Sequence, residues 1–211
     1  MKHLVIIGAR GFGREVYNLA MECIEAGEQM DVKGFLDDKA DALDNYQGYP
    51  AILGFVEEYV PQSDDVFICA MGEPIYKKKY AEMILAKGGE FINIIHPSAL
   101  IRKNTTIGKG CIFTENVALS CDAKIGDFVT IMANAVLGHD VQVGSWSHIG
   151  AGSFMGGFSK IGELVTLHPH VELLPHKTVK DSANVGAGSV VLRNVKEGTT
   201  VFGIPATKME I

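Results

Sequence analysis

Leu137-Gly138-His139-Asp140-Val141-Gln142, Val143-Gly144-Ser145-Trp146-Ser147-His148 and Ile149-Gly150-Ala151-Gly152-Ser153-Phe154 are three consecutive six-residue units built alike. Each opens on an aliphatic residue, continues with Gly and carries a small or β-branched residue at its fifth position. Followed outward, the same register runs from Ile95 to Phe202, eighteen hexads over 108 residues. The first position is aliphatic, Met or Phe in seventeen of the eighteen and fails only at Glu197. The fifth is Ala, Ser, Thr, Cys or Val in seventeen and fails only at Lys177; the second is Gly in nine. Helices repeat at 3.6 residues and strands at 2, so a period of six calls for a repeat architecture.

One large and one small inward residue per hexad suit a triangular coil of three short parallel strands. The aliphatic residue fills the interior, the small residue lets the chain turn at the corner, and Gly supplies backbone freedom there. Eighteen hexads make six coils of eighteen residues. At the usual strand spacing of about 4.8 Å they stack into a prism roughly 30 Å long, each coil burying its aliphatic residues on the next.

Composition narrows the class. The chain has 211 residues, 47% of them hydrophobic, and a net charge of −6 without a basic cluster, which argues against nucleic acid. No apolar run approaches the ~20 residues of a membrane span. The start, MKHLVIIGARG, leads into a glycine turn rather than a cleavage site and reads as a strand, not a signal peptide. Cys23, Cys69, Cys111 and Cys121 have no metal-ligand spacing and read as reduced thiols of a cytoplasmic protein.

The first 94 residues read differently from the rest. His3–Ile7, Val32–Leu36, Val66–Ala70 and Phe91–Ile95 read as strands, with helices from about Arg14 to Ala26 and Pro74 to Lys87. Alternating strands and helices imply a small parallel sheet, a Rossmann-like half, whose ligands bind at the carboxyl ends of the strands. Gly8, Gly11, Gly13, Asp37, Asp38, Met71 and Gly72 fall at those ends. The glycine turn is G-x-x-G-x-G, not the dinucleotide G-x-G-x-x-G, so a mononucleotide suits it better than NAD. The aspartates after the second strand are placed to accept from ribose hydroxyls or a base N–H. The competing readings are a tight turn that binds nothing and solvated turn residues.

Six histidines lie in the repeat region: His96, His139, His148, His168, His170 and His176. His139 takes the third hexad position, which points outward, and Asp140 follows it. An outward imidazole beside a carboxylate suits a general base whose tautomer the acid holds. One coil is eighteen residues, so Cys121, His139, Gly157, Pro175 and Arg193 form one column. The missing side chain at Gly157 leaves room beside His139 for a substrate or thioester; a surface histidine in a turn is the plainer alternative. His148 lies half a coil away and would meet that site only across a trimer interface. His168, His170 and His176 could suggest zinc, but they do not stack at eighteen and no metal is expected. Cys121 beneath His139 could accept an acyl group, although packing explains it as well.

The whole chain resembles the bacterial nucleotide-sugar N-acetyltransferases that modify UDP- or GDP-linked 4-amino-4,6-dideoxy sugars, with the sialic-acid O-acetyltransferases close by. The resemblance rests on I-I-G-A-R-G-F-G-R-E-V, G-F-L-D-D, I-C-A-M-G, N-I-I-H-P-S-A, L-G-H-D-V-Q-V-G-S-W-S-H-I-G-A-G and F-G-I-P-A-T-K-M in that order. It implies a nucleotide-sugar-binding α/β domain over 1–94 and a left-handed parallel β-helix over 95–211 with a C-terminal tail. The left hand is an exception to the crossover rule. It implies acetyl-CoA as donor, His139 as general base and Asp140 as its support, where some members carry Glu. It implies that His148 lines the acetyl-CoA and substrate cleft. The Gly157 and Ala187 backbones would meet the thioester or pantetheine arm, and the Gly203-Ile204-Pro205-Ala206 loop would pack on the donor. The glycine turn, with Gly72 and Asp37-Asp38, would be the nucleotide site. A homotrimer with sites between adjacent β-helices is implied. Two other readings remain open at this point: a sugar or sialic acid O-acetyltransferase, and a non-catalytic nucleotide-sugar-binding scaffold.

Overall fold

The computed structural model describes residues 1–209; the last two residues of the expected tail lie outside them. The chain divides into two compact units, Met1–Pro97 and Ser98–Ile211.

The first unit holds a five-stranded parallel sheet. Its elements run β1 Lys2–Ile7, α1 Gly11–Glu25, β2 Met30–Leu36, β3 Ile52–Gly54, β4 Asp65–Cys69, α2 Pro74–Leu85 and β5 Glu90–Phe91, and the sheet order is β3-β2-β1-β4-β5. Leu4 to Ile7 on β1 and Val66 to Cys69 on β4 are buried, as continuous apolar runs in a parallel sheet covered by helices should be. β3 escapes the sequence reading because it is only three residues long, pairs irregularly with β2 and ends at Gly54. The expected strand Phe91–Ile95 is two pieces: β5 belongs to this sheet, whereas Ile94–Ile95 does not.

The second unit is a parallel β-helix of two-residue strands. On its first face, Leu100, Ala118, Val136, Phe154, Glu172 and Val190 pair in succession. The second face carries Thr106, Lys124, Gln142, Lys160 and Thr178 in the same way. The third runs Ile112, Thr130, His148, Thr166, Asn184 and Thr200. Inside, first-position Leu137, Ile149, Met155 and Leu167 and fifth-position Ala135, Val141, Ser147 and Val165 are all at most 1% exposed. The buried Ser147 hydroxyl donates to Gly162 O at 2.8 Å and accepts from Val165 N, so it carries no unmet polar cost.

Two expectations are corrected. The left-handed backbone is not at the second position, where Gly recurs, but at the fourth: every fourth position from Asn104 to Gly188 has positive φ, including Phe128, Trp146 and Phe158. From Asp122 onward each such corner is fixed by a backbone bond to the coil below, as Asp140 N to Cys121 O (3.1 Å) and Phe158 N to His139 O (3.0 Å). The second-position glycines are needed for space: a Cβ on Gly144 would lie 2.5 Å from Gly162 C, and one on Gly150 2.5 Å from His168 C. The final coil is also shorter. Pairing at an offset of eighteen holds through Glu172↔Val190 and then shortens to sixteen at Asn184↔Thr200 and Val179↔Val195. Val195 and Val201 are therefore the buried residues, which is why Glu197 fails the strict register.

Candidate functional site

His139 stands at the corner between the first and second faces, on the turn from Val136–Leu137 to Gln142–Val143. Asp140 holds the left-handed position, φ 58°, which short Asx side chains tolerate better than most. That turn brings its carboxylate back to the preceding ring, with Nδ1 and Oδ2 2.8 Å apart. A carboxylate only accepts, so the pairing puts a hydrogen on Nδ1, and in the neutral ring the lone pair is then on Nε2. Nε2 lies over the next coil: a Cβ built on Gly157 would come within 2.6 Å of it. The Phe158 ring meets the imidazole edge-on at 5.0 Å, and His176 stacks on Phe158 from the coil above at 5.0 Å. The result is a half-exposed imidazole with Nδ1 paired to Asp140 on one side and Nε2 beside the bare Gly157 on the other.

His139, Asp140 and Gly157 are thus brought together within one chain. His148 is not among them: it lies half-buried on the third face. Ala187 is exposed at the corner between the third and first faces. Ile204 and Pro205, both exposed, sit in a loop tied to the last coil by Gly203 N to Ser189 Oγ (3.0 Å) and Ala206 N to Val190 O (2.9 Å). Cys121, one coil below His139, is half-buried and lends its carbonyl to Asp140. Burial pushes the thiols of Cys23 and Cys69 up to about 11 and about 12, so neither is a ready nucleophile. Among the described residues no group of three or more His, Cys, Asp or Glu is placed to hold a metal.

In the first unit, a cleft of about 400 Å³ opens at the carboxyl ends of β1, β2 and β4. Gly8, Gly13, Asp37, Asp38 and Gly72 line it, and so do Arg10, Phe12, Met71, Tyr76 and Tyr80. Gly11 does not; it is the first residue of α1. Gly8 turns with φ 100°, and a Cβ on Gly13 would lie 1.9 Å from Gly8 O, so α1 starts against the turn only because Gly13 is bare. No side chain caps the start of α1, which leaves its positive end to the cleft. Asp37 is turned inward: its Oδ2 accepts from Ala9 N and its Oδ1 from Lys39 N, each at 2.9 Å. Asp38 is exposed and accepts from Tyr80 Oη at 2.6 Å, which pushes the phenol up to about 12, with burial adding to the effect. Asp37→Ala should therefore act as a fold mutation, costing about 1–3 kcal/mol in chemical denaturation by orphaning two N–H groups. Unchanged stability would show that the glycine turn holds its shape without that carboxylate.

Sequence reading missed Phe158 and the tyrosines. The eighteen-residue column drawn through His139 applies equally to Asp140 and lands on Phe158. Tyr76 and Tyr80 are spaced i, i+4 on α2 and so share the helix face beside the cleft.

Comparison with known proteins bears on both units. The PglD N-terminal domain family matches residues 3–84, and the GMPPB C-terminal domain family matches residues 92–195. GDP-perosamine N-acetyltransferase of Escherichia coli O157:H7 is 26% identical over 198 residues, covering 94% of this chain and 81% of that one. UDP-N-acetylbacillosamine N-acetyltransferase of Bacillus subtilis is 30% identical over 116 residues, 53% of this chain and 51% of its own. PerB from Caulobacter crescentus, solved in complex with CoA and GDP-perosamine, superposes with a TM-score of 0.89 at 27% identity over 100% of this chain and 98% of that chain. With a small parallel-sheet domain followed by a parallel β-helix, this chain is a homologue of the GDP-perosamine and UDP-N-acetylbacillosamine N-acetyltransferases.

Proposed function

We propose that the protein transfers the acetyl group of acetyl-CoA to the amine of a nucleotide-linked amino sugar. The observation that carries this reading is the His139–Asp140 pair, which leaves Nε2 as a proton acceptor over the bare Gly157. The sugar nitrogen attacks the thioester carbonyl, and an N–C bond forms. Nε2 of His139 takes the amine proton, and Asp140 steadies the resulting imidazolium. Backbone N–H groups facing the carbonyl oxygen stabilise the tetrahedral oxyanion. The C–S bond then breaks, and the CoA thiolate takes up the proton. The nucleotide is held by the first unit and the transfer occurs at the corner of the second. The reaction belongs in the cytoplasm, where acetyl-CoA and nucleotide sugars are available together.

The working assembly is a homotrimer. Its support is the unlike chemistry of the faces. Outward residues of the first face are Leu100, Ala118, Val136, Phe154 and Val190 with Glu172, whereas the second shows Thr106, Lys124, Gln142, Lys160 and Thr178. Phe154 is 46% and Val136 41% exposed, an apolar strip bordering the His139 corner. A neighbouring copy seated there would bring its own third face, and with it His148, towards that corner. Replacing Val136 and Phe154 together by Glu should turn a trimer into monomers in sedimentation velocity and abolish most of the activity. Wild-type protein that sediments as a monomer at full activity would refute the assembly.

Mixing the protein with acetyl-CoA and a panel of nucleotide-linked amino sugars should release free CoA and add one acetyl group to a single acceptor by mass spectrometry. A product stable to mild base is an amide; a labile one would mark an O-acetyltransferase. No release with any acceptor would favour the scaffold reading.

A further inference from the structure

Asp140 holds one atom of the His139 ring, and Gly157 leaves space beside Nε2 rather than support. The ring torsion of a histidine is broad, so one hydrogen bond at Nδ1 leaves a half-exposed imidazole room to tilt. A further contact is the Phe158 ring, edge-on to the imidazole with centroids 5.0 Å apart. Phe158 stands one coil above, its N–H donating to His139 O at 3.0 Å, so backbone pairing sets the two rings side by side. It is a corner residue with φ 60°, a conformation that a bulky side chain rarely takes. It is also 46% exposed and borders a groove of about 510 Å³ together with Asp140 and His176. Burial therefore accounts poorly for a phenylalanine there. Phe128, at another corner, is the contrast: it stacks on Trp146 at 4.1 Å and is 1% exposed, as a packing residue should be. From the coil above, His176 lies parallel to Phe158 within 7°, with centroids 5.0 Å apart. That separation is close to the ~4.8 Å rise of one coil, so the two rings lie face to face. His176 N donates to Gly157 O at 3.0 Å and keeps the upper ring in register.

We infer that Phe158 is a positioning residue for His139, and that His176, stacked on it, is its brace. The inference rests on the reading of His139 as the base. With Nδ1 tied to Asp140, Phe158 limits the tilt of the imidazole and with it the wander of Nε2 away from Gly157. His176 in turn limits the swing of Phe158 into the groove. Neither ring takes a proton; both act through the imidazole. Proton transfer needs its acceptor within hydrogen-bond reach, and a misplacement of about an ångström costs up to about 10²-fold. An edge-on aromatic contact is a modest bias on a ring already held at one atom, so its loss falls below that limit.

Steady-state kinetics of the full chain, with acetyl-CoA and the acceptor found by the panel above, test this. Phe158→Asn is the informative change, because Asn tolerates the left-handed corner and already holds it at Asn104, Asn116 and Asn134. The variant should melt at or above the wild-type temperature, yet lose about tenfold in kcat with both KM values within about twofold. Phe158→Tyr restores the ring and should recover most of that loss. His176→Ala should lose about threefold, and His176→Phe should recover it, because the brace needs a flat face and not a charge. The deciding measurement is a double-mutant cycle: in the His139→Ala background, Phe158→Asn should cost nothing further. An equal loss in both backgrounds would overturn the inference, since Phe158 would then act on the substrate and not through the imidazole. So would a raised acceptor KM at unchanged kcat, or full activity of Phe158→Asn beside an inactive His139→Ala. The base reading fails separately: if His139→Ala itself keeps more than about half the wild-type rate, that reading falls and the positioning role with it.

Discussion

His139→Ala should lower kcat by roughly 10²- to 10⁴-fold and leave acetyl-CoA affinity nearly unchanged. The ring carries the proton acceptor beside Gly157, and alanine leaves no imidazole there. Half-exposed side chains tolerate truncation, so melting should be unaltered and the loss read as chemistry. Asp140→Asn should cost less, because the amide can still accept from Nδ1 through its oxygen while losing the charge that steadies imidazolium. If His139→Ala kept more than about half the wild-type rate, an imidazole at this position would not be the base. The proton would then leave through His148 of a neighbouring copy or through solvent.

Gly157→Ala should be nearly as damaging, by a different route. A methyl group there meets His139 Nε2 at 2.6 Å and Cε1 at 2.8 Å, so the ring must swing away from the coil above. The neighbour is the far end of a side chain, and Gly157 is not among the left-handed glycines, so the backbone has no reason to resist. The expected outcome is a folded protein of near-normal melting temperature with kcat down by about 10²-fold, the scale for a catalytic group displaced by an ångström. A variant with full activity would mean that the imidazole reacts from a rotamer that leaves Gly157 uncovered.

Much of this was legible before the structure. A six-residue period has few architectural solutions, and the eighteen-residue column placed Gly157 on the coil above the His139 ring because successive coils there stack at an offset of eighteen. The pattern could not show which corner residue takes the left-handed turn. Phe128 and Trp146 give no local hint of it; the turn is imposed by bonds from adjacent coils, as at Phe128 N to Lys109 O. It also missed the two-residue shortening after Val191, since Val195 and Val201 keep the chemistry of the register while changing its phase. In the first unit, strand ends and glycines marked the cleft. The division of labour between Asp37 and Asp38 depends on side-chain direction, and two adjacent aspartates look the same on paper.

The left-handed corners have a further consequence, for cooperativity. Each non-glycine residue held there carries about 1–2 kcal/mol of intrinsic strain, repaid only by hydrogen bonds to coils on either side. A coil at an end has one neighbour and frays; a coil in the interior has two, and opens only when the array does. The His139 corner has Lys103 and Cys121 below it in its column and Gly157, Pro175 and Arg193 above. The His139 layer therefore occupies the slowest-exchanging part of a one-dimensional lattice, where local opening is rarest and an imidazole, once aimed, stays aimed.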